Sequence, residues 1–159
     1  MRADPDLERA AARMRRDWDA RAEADARRYV YTRDAASDIE DFDASGKANY
    51  EQLVRPYLPV LLGGRPARAC RALEIGCGPG RMTRWFAREF AQVDAVDVSP
   101  AMIEAARERL RDLPNARFHL GSGYDLAGLP DACFDLAFSY IVFQHIPARA
   151  AIGNYVREA

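Results

Sequence analysis

The sequence predicts an α/β fold, a mainly parallel and doubly wound sheet with a helical extension ahead of it, and three observations carry that prediction. A short apolar run, Ala69 to Ile75, enters the glycine-rich stretch Gly76 to Gly80 and then a helical pattern. A second alternating run from Val93 reaches Asp97 and restarts as a helix, with Ser99 as N-cap and Pro100 at the first helical position. Two more strand signals follow, around Arg117 to Leu120 and from Phe134 to Ser139. Strands and helices alternating at this length argue for parallel βαβ units.

Taken in order, the first element is a charged amphipathic helix from Asp4 to about Tyr31. Leu7, Ala11, Met14, Trp18, Ala22, Ala26 and Tyr29 make one narrow apolar stripe on it. A polar connection, residues 32 to 46, precedes a second helix from about Lys47 to Leu62. Tyr50, Leu53, Val54, Tyr57, Leu58 and Leu61 form its broader apolar face, and Pro56 and Pro59 predict a kink or break. These readings divide the chain into residues 1–45, a helix and linker acting as a cap, and residues 46–159, the core domain. Gly63, Gly64 and Pro66 punctuate the entry to that core. After the first strand, Met82, Trp85, Phe86 and Phe90 recur at helical spacing. The third strand ends in the turn Gly121-Ser122-Gly123, and Ile152, Tyr155 and Val156 mark one side of a final helix.

The glycines lie between a strand and a helix, where residues lacking Cβ permit positive φ and the helix N-terminus offers unpaired N–H groups. A dinucleotide fingerprint needs G-x-G-x-x-G. Here Glu74, Gly76, Gly78 and Gly80 give E-x-G-x-G-x-G instead. A carboxylate at the end of the second strand, about 20 residues beyond the loop, suits both hydroxyls of a ribose. Asp97 stands there, its alternative role being to help start the helix that follows.

This pattern resembles motif I of the class I S-adenosylmethionine-dependent methyltransferases, and the resemblance covers roughly residues 46 to 159. It implies a Rossmann-like fold, S-adenosyl-L-methionine as cofactor and a small-molecule methyl acceptor. It further implies that Glu74, Gly76, Cys77, Gly78 and Gly80 cradle the amino-acid portion, that Asp97 holds the ribose, and that Val98 and Met102 flank the adenine. Met102 equally reads as ordinary packing of a helix's first turn.

Two departures stand out. Where similar proteins carry an acidic residue that reads the adenine amino group, this chain has Ser122 followed by Gly123; the Ser122 hydroxyl or backbone groups of the Gly121-Ser122-Gly123 turn are expected to accept from the amino group instead, and Asp125 would substitute only if the turn bends back. Similar enzymes also have seven core strands, whereas four are readable here. The missing C-terminal strands would leave the fourth as an open edge, which predicts a fragment of a longer protein, or association with another copy or with the missing C-terminal portion.

On the fourth strand Asp135 reads as structural, and Ser139 and Tyr140 at its far end fall near the methionine portion and sulfonium. His145 has two readings: a general base for an acceptor hydroxyl or amine, or a loop residue bonding the backbone before Pro147. His119, in mid-strand, reads as a satisfied histidine. Methyl transfer needs little acid–base help, since orientation and exclusion of water supply most of the catalysis. Trp18, Tyr29 and Tyr31 are expected either to close over the cofactor or to pack on the flank of the sheet.

Composition narrows the function classes. A formal net charge of −1 gives no general attraction to nucleic acid or to anionic membranes. Cys70, Cys77 and Cys133 lack C-x-x-C spacing and only two histidines exist, so neither a disulfide framework nor a metal site is expected. No segment approaches ~20 consecutive apolar residues, and a cytoplasmic protein is expected. A non-catalytic module that binds S-adenosylmethionine or S-adenosylhomocysteine, and an NAD-dependent oxidoreductase, remain the alternatives.

Overall fold

The computed structural model describes residues 4–30 and 39–159. Tyr31 lies outside the described residues. Helix α1, Pro5–Asp25, starts at Asp4, whose carboxylate accepts from the Asp6 N–H at 2.9 Å. Its apolar stripe turns inward, with Ala11 and Met14 buried and Trp18 half-buried.

Helix α2, Ile39–Leu53, begins well before the expected Lys47, so the boundary expected between residues 45 and 46 falls inside it. Distant partners explain the early start. Phe42 is buried under the Arg109 guanidinium, 4.7 Å from the ring centroid, and Asp43 pairs with both Arg109 and Arg84. Pro56 then breaks the helix as expected, leaving a 3-10 turn, Arg55–Tyr57, and the short α3, Leu58–Leu61. The apolar face is narrower than expected: Tyr50, Val54 and Leu58 are buried, whereas Leu53, Tyr57 and Leu61 are exposed.

The core alternates as expected. Strand β1, Arg71–Ile75, leads through the glycine loop to α4, Thr83–Glu89, and β2, Gln92–Asp97, leads to α5, Pro100–Arg109. Strand β3, Ala116–Leu120, is followed by a long turn, β4, Leu136–Phe138, a 3-10 turn, Phe143–His145, and α6, Arg149–Glu158. All pairings are parallel, in the order β3-β2-β1-β4. The chain steps outward from β1 to β3 and returns to the other side of β1. The loops after β1 and β4 therefore diverge and open a crevice at the carboxyl ends of the strands.

Both faces of the sheet are covered. Ala72 and Val93 point into a cluster with Tyr50, Met82, Phe86 and Phe90, while Leu73, Ile75 and Val96 meet Leu126 and Tyr155 on the opposite face. The fourth strand differs from expectation: it spans three residues and is half-buried, because β4 borders the sheet and pairs with β1 alone among the described strands. In α6 the inward residues are Ala151 and Tyr155, and Val156 is exposed. Asp135 is structural as expected, accepting from the Arg71 N–H at 2.7 Å and pairing with Arg65. His119 is likewise satisfied, its Nε2 lying 2.7 Å from Asp94 Oδ1. Among the described residues no helix is long and apolar enough to cross a membrane.

Candidate cofactor site

The floor of the crevice is backbone laced to backbone. Gly76 and Cys77 both donate to the Val96 carbonyl, at 2.8 and 3.0 Å, which ties the glycine loop to the end of β2. Gly76 and Gly78 have φ of 77° and 52°, in the left-handed region that glycine tolerates. Asp97 closes the lacing, its Oδ2 accepting from the Gly78 N–H at 2.9 Å and its Oδ1 from the Ser99 N–H at 2.9 Å. Burial pushes the Asp97 carboxyl up, against hydrogen bonds from Ser99, Gly78 and Val98 that favour its charged form. Ser99 caps α5 as expected, accepting from the Met102 N–H at 3.1 Å.

Above this floor is a cavity of about 140 Å³. Of the residues expected at the site, Gly76, Gly78, Asp97, Val98, Met102, Tyr140 and His145 line it together. Trp18 and Tyr29 line it too, so α1 and the turn after it border the crevice. The remaining expected residues stand behind the wall. Glu74 is buried and accepts from Thr83 Oγ1 at 2.6 Å, and burial pushes its carboxyl up to about 7. Cys77 is buried with its thiol toward the Gly78 carbonyl, and Gly80 faces Leu110. Ser139 donates to the Ile75 carbonyl at 3.1 Å and so joins the ends of β4 and β1.

The turn after β3 does bend back. Ser122 Oγ lies 2.6 Å from Asp125 Oδ1 and accepts from the Tyr124 and Asp125 N–H groups. Ser122, Gly123 and Asp125 are absent from the cavity wall, and the Ser122 hydroxyl is occupied by its own turn.

Met14, Val30, Arg81, Val142 and Tyr155 also line the cavity and were not anticipated. Arg81 had a signal in the sequence, since it directly follows the glycine loop. It is buried, its Nη1 lies 3.2 Å from Ser45 Oγ, and its guanidinium stands 5.9 Å from the Tyr140 ring. Val30 and Val142 carried no such signal: they stand over Gly78 and Gly76, where an added Cβ would meet them at 3.2 and 2.4 Å. Between Tyr140 and Val142, Ile141 has φ of 59°, an unfavourable conformation for a β-branched residue. At the rim, the His145 ring meets Trp18 edge-on at 5.5 Å, and its Nε2 is 3.2 Å from the Gln144 amide nitrogen. Among the described residues no group of three or more His, Cys, Asp or Glu side chains could hold a metal ion.

A parallel sheet whose first strand delivers a glycine loop and whose second delivers a carboxylate into one crevice defines a Rossmann-like domain. More than half of the chain, residues 72–158, matches the family described as "Methyltransferase domain", and the chain belongs to that family. It is 35% identical over 86 residues to malonyl-[acyl-carrier protein] O-methyltransferase 1 of Ilyobacter polytropus, covering 53% of this chain and 31% of that protein. Trans-aconitate 2-methyltransferase of Methylobacterium radiotolerans is 38% identical over 95 residues, 58% of this chain and 35% of that one. The chain thus spans about a third of the length of these relatives. Among solved structures, Haemonchus contortus phosphoethanolamine N-methyltransferase 1, in complex with phosphoethanolamine and S-adenosylhomocysteine, superposes with a TM-score of 0.71 at 18% identity. That match covers 94% of this chain and 29% of the other. Magnesium protoporphyrin IX methyltransferase of Synechocystis with bound SAM gives 0.65 at 20% identity, over all of this chain and 74% of the other. At these identities the superpositions establish the fold.

Proposed function

We propose that this chain is the cofactor-binding half of an S-adenosylmethionine-dependent methyltransferase acting on a small-molecule acceptor. The observation that carries the reading is Asp97, whose two oxygens hold the Gly78 and Ser99 N–H groups at 2.9 Å and whose carboxylate borders the same cavity as Met102 and the glycine loop. The residues fit the cofactor. Side chains at Gly76 and Gly78 would fill the cradle, Asp97 suits a ribose diol, Val98 and Met102 suit an adenine face, and the Arg81 cation suits the carboxylate of the amino-acid portion. When bound, the sulfonium supplies a methyl group already activated for displacement. The chain's contribution is to orient and exclude water, with Trp18, Tyr29, Val30 and Val142 as the cover.

Glu74, Cys77, Gly80, Ser122, Gly123 and Ser139 then shape the cavity from behind its wall, and His145 at the rim is the candidate base for an acceptor. The cap in this reading is α1 with the turn after it. Helix α2 goes with the core, because Phe42 and Asp43 are locked to Arg109. A net charge of −1 and the free cysteines 70, 77 and 133 support a cytoplasmic protein with no nucleic-acid or membrane partner. Association through the β4 border, with another copy or a further portion of the protein, belongs to the same proposal.

Titration calorimetry with S-adenosylmethionine, S-adenosylhomocysteine and NAD tests the reading. The first two are expected to bind, and Asp97→Ala to weaken them by roughly 1–3 kcal/mol through lost charge-assisted hydrogen bonds. Binding of NAD alone, or an unchanged affinity in folded Asp97→Ala, overturns it.

A further inference from the structure

The core-facing side of α1 does more than cover the crevice. Positions 11, 14, 15, 18 and 19 share one helical face, and three of them reach three different loops at the carboxyl ends of the strands. Arg15 donates from Nε to the Val98 carbonyl at 3.0 Å and from its terminal nitrogen to the Gly121 carbonyl at 3.1 Å, so that one guanidinium spans the loops after β2 and β3. Asp19 Oδ1 accepts from the Ser99 hydroxyl at 2.5 Å and from the Ala101 N–H at 3.3 Å. Trp18 meets the His145 ring beyond β4.

These contacts converge on Asp97. Ser99, held by Asp19 through its hydroxyl, gives its N–H to Asp97, and Asp97 in turn takes the Gly78 N–H. The carboxylate assigned to the ribose thus stands in the middle of a relay that begins on α1. Arg15 ties the backbone at Val98, which lines the cavity where an adenine face would lie, to the turn at Gly121. The approach of α1 is close: a Cβ added at Gly123 would stand 2.9 Å from Val98 Cγ2, 3.0 Å from Ala11 Cβ and 3.3 Å from Met14 Cε. Gly123 therefore makes room for the helix. Only Ala11 and Met14 of α1 are buried, so apolar burial alone gives this helix little hold and the polar contacts set its position.

We infer that Arg15 and Asp19 are positioning residues for the nucleoside end of the cofactor: α1 sets the loops that hold ribose and adenine. Both residues lie outside the segment that matches the methyltransferase family. The inference rests on the cofactor reading above and adds to it that affinity is controlled from a helix some eighty residues away in sequence.

Calorimetry on the full chain with S-adenosylhomocysteine and with adenosine, together with thermal melts, tests it. Asp19→Ala and Arg15→Met are each expected to weaken both probes by the same factor, about tenfold, as one or two charge-assisted hydrogen bonds predict. Asp19→Asn, which keeps a neutral acceptor oxygen toward Ser99, is expected to recover part of the loss and guards against a poorly folded alanine variant. A lowered melting temperature with unchanged affinity overturns the inference, and so does a loss for S-adenosylhomocysteine that adenosine does not share. If the unaltered chain binds neither probe, the cofactor reading falls and this inference with it. Binding by the unaltered chain that both variants retain in full removes the inference alone.

Discussion

The floor of the crevice and its rim are built by different means. In the floor, β1, β2 and the turns after them are joined by hydrogen bonds from backbone N–H groups, of Gly76 and Cys77 to the Val96 carbonyl and of Gly78 and Ser99 to the Asp97 carboxylate, beside the buried strands β1 and β2. The rim consists of α1 and residues 139–146, and it is held by side chains reaching across to carbonyls and rings, with Ile141 in a left-handed conformation. A floor of this kind resists change because each contact is fixed by its neighbours. A rim of this kind can be released one side chain at a time, which suits the part of a binding site that must admit a ligand.

The contrast is most strongly broken at Phe86. Its ring is fully buried and joins α2 to the sheet through Tyr50 and Phe138, with centroids 4.9 and 5.1 Å away. Phe86→Ala is expected to cost about 3–5 kcal/mol in chemical denaturation. A loss below about 1 kcal/mol would mean that the floor tolerates a void as readily as the rim.

Next comes Glu74, a carboxyl buried behind the glycine loop and raised from 4.5 to about 7. The folded state holds its proton more tightly than the unfolded chain. The stabilisation from Glu74 is therefore complete below the unfolded value and is lost as pH rises through the folded one, about 3 kcal/mol in all. Glu74→Gln keeps an acceptor for Thr83 and should flatten the decline in unfolding free energy between about pH 4.5 and 7.5. An unchanged slope would show that the carboxyl titrates normally. Asp97, also raised by burial, contributes in the same direction and should leave a residual slope.

The smallest effect is expected in the rim. Ile141 is 54% exposed, so replacing it loses little burial, while glycine removes the strain of its φ of 59°. Ile141→Gly should stabilise by up to about 1 kcal/mol. Destabilisation by more than that, measured by thermal melts, would show that side-chain packing holds the loop in place.

The same contrast governs what the sequence discloses. The glycine loop, Asp97 and the Ser99 cap are legible because each is a local pattern of residue types at the end of a strand. The early start of α2 is not, since residues 39–46 read as polar connection until Asp43 meets Arg84 and Arg109 and Phe42 slides beneath Arg109. Arg15 and Asp19 look like ordinary solvated charges on a helix whose apolar stripe draws attention elsewhere. Ser122 misleads for the opposite reason: its hydroxyl is consumed by the turn that contains it. Glu74 belongs to a motif that names the residue without saying whether it faces the ligand or the core.

The position of β4 has a further consequence. Its partner β1 lies 64 residues earlier, as the bond from the Arg71 N–H to Asp135 records, whereas β1 and β2 meet across a much shorter loop. Closing the longer loop demands more chain entropy before any contact repays it. The three-strand sheet with its glycine loop is thus expected to assemble first, and β4 with the rim it carries to dock last. During synthesis or refolding, the nucleoside cradle would exist before the segment that bears His145 has found its place.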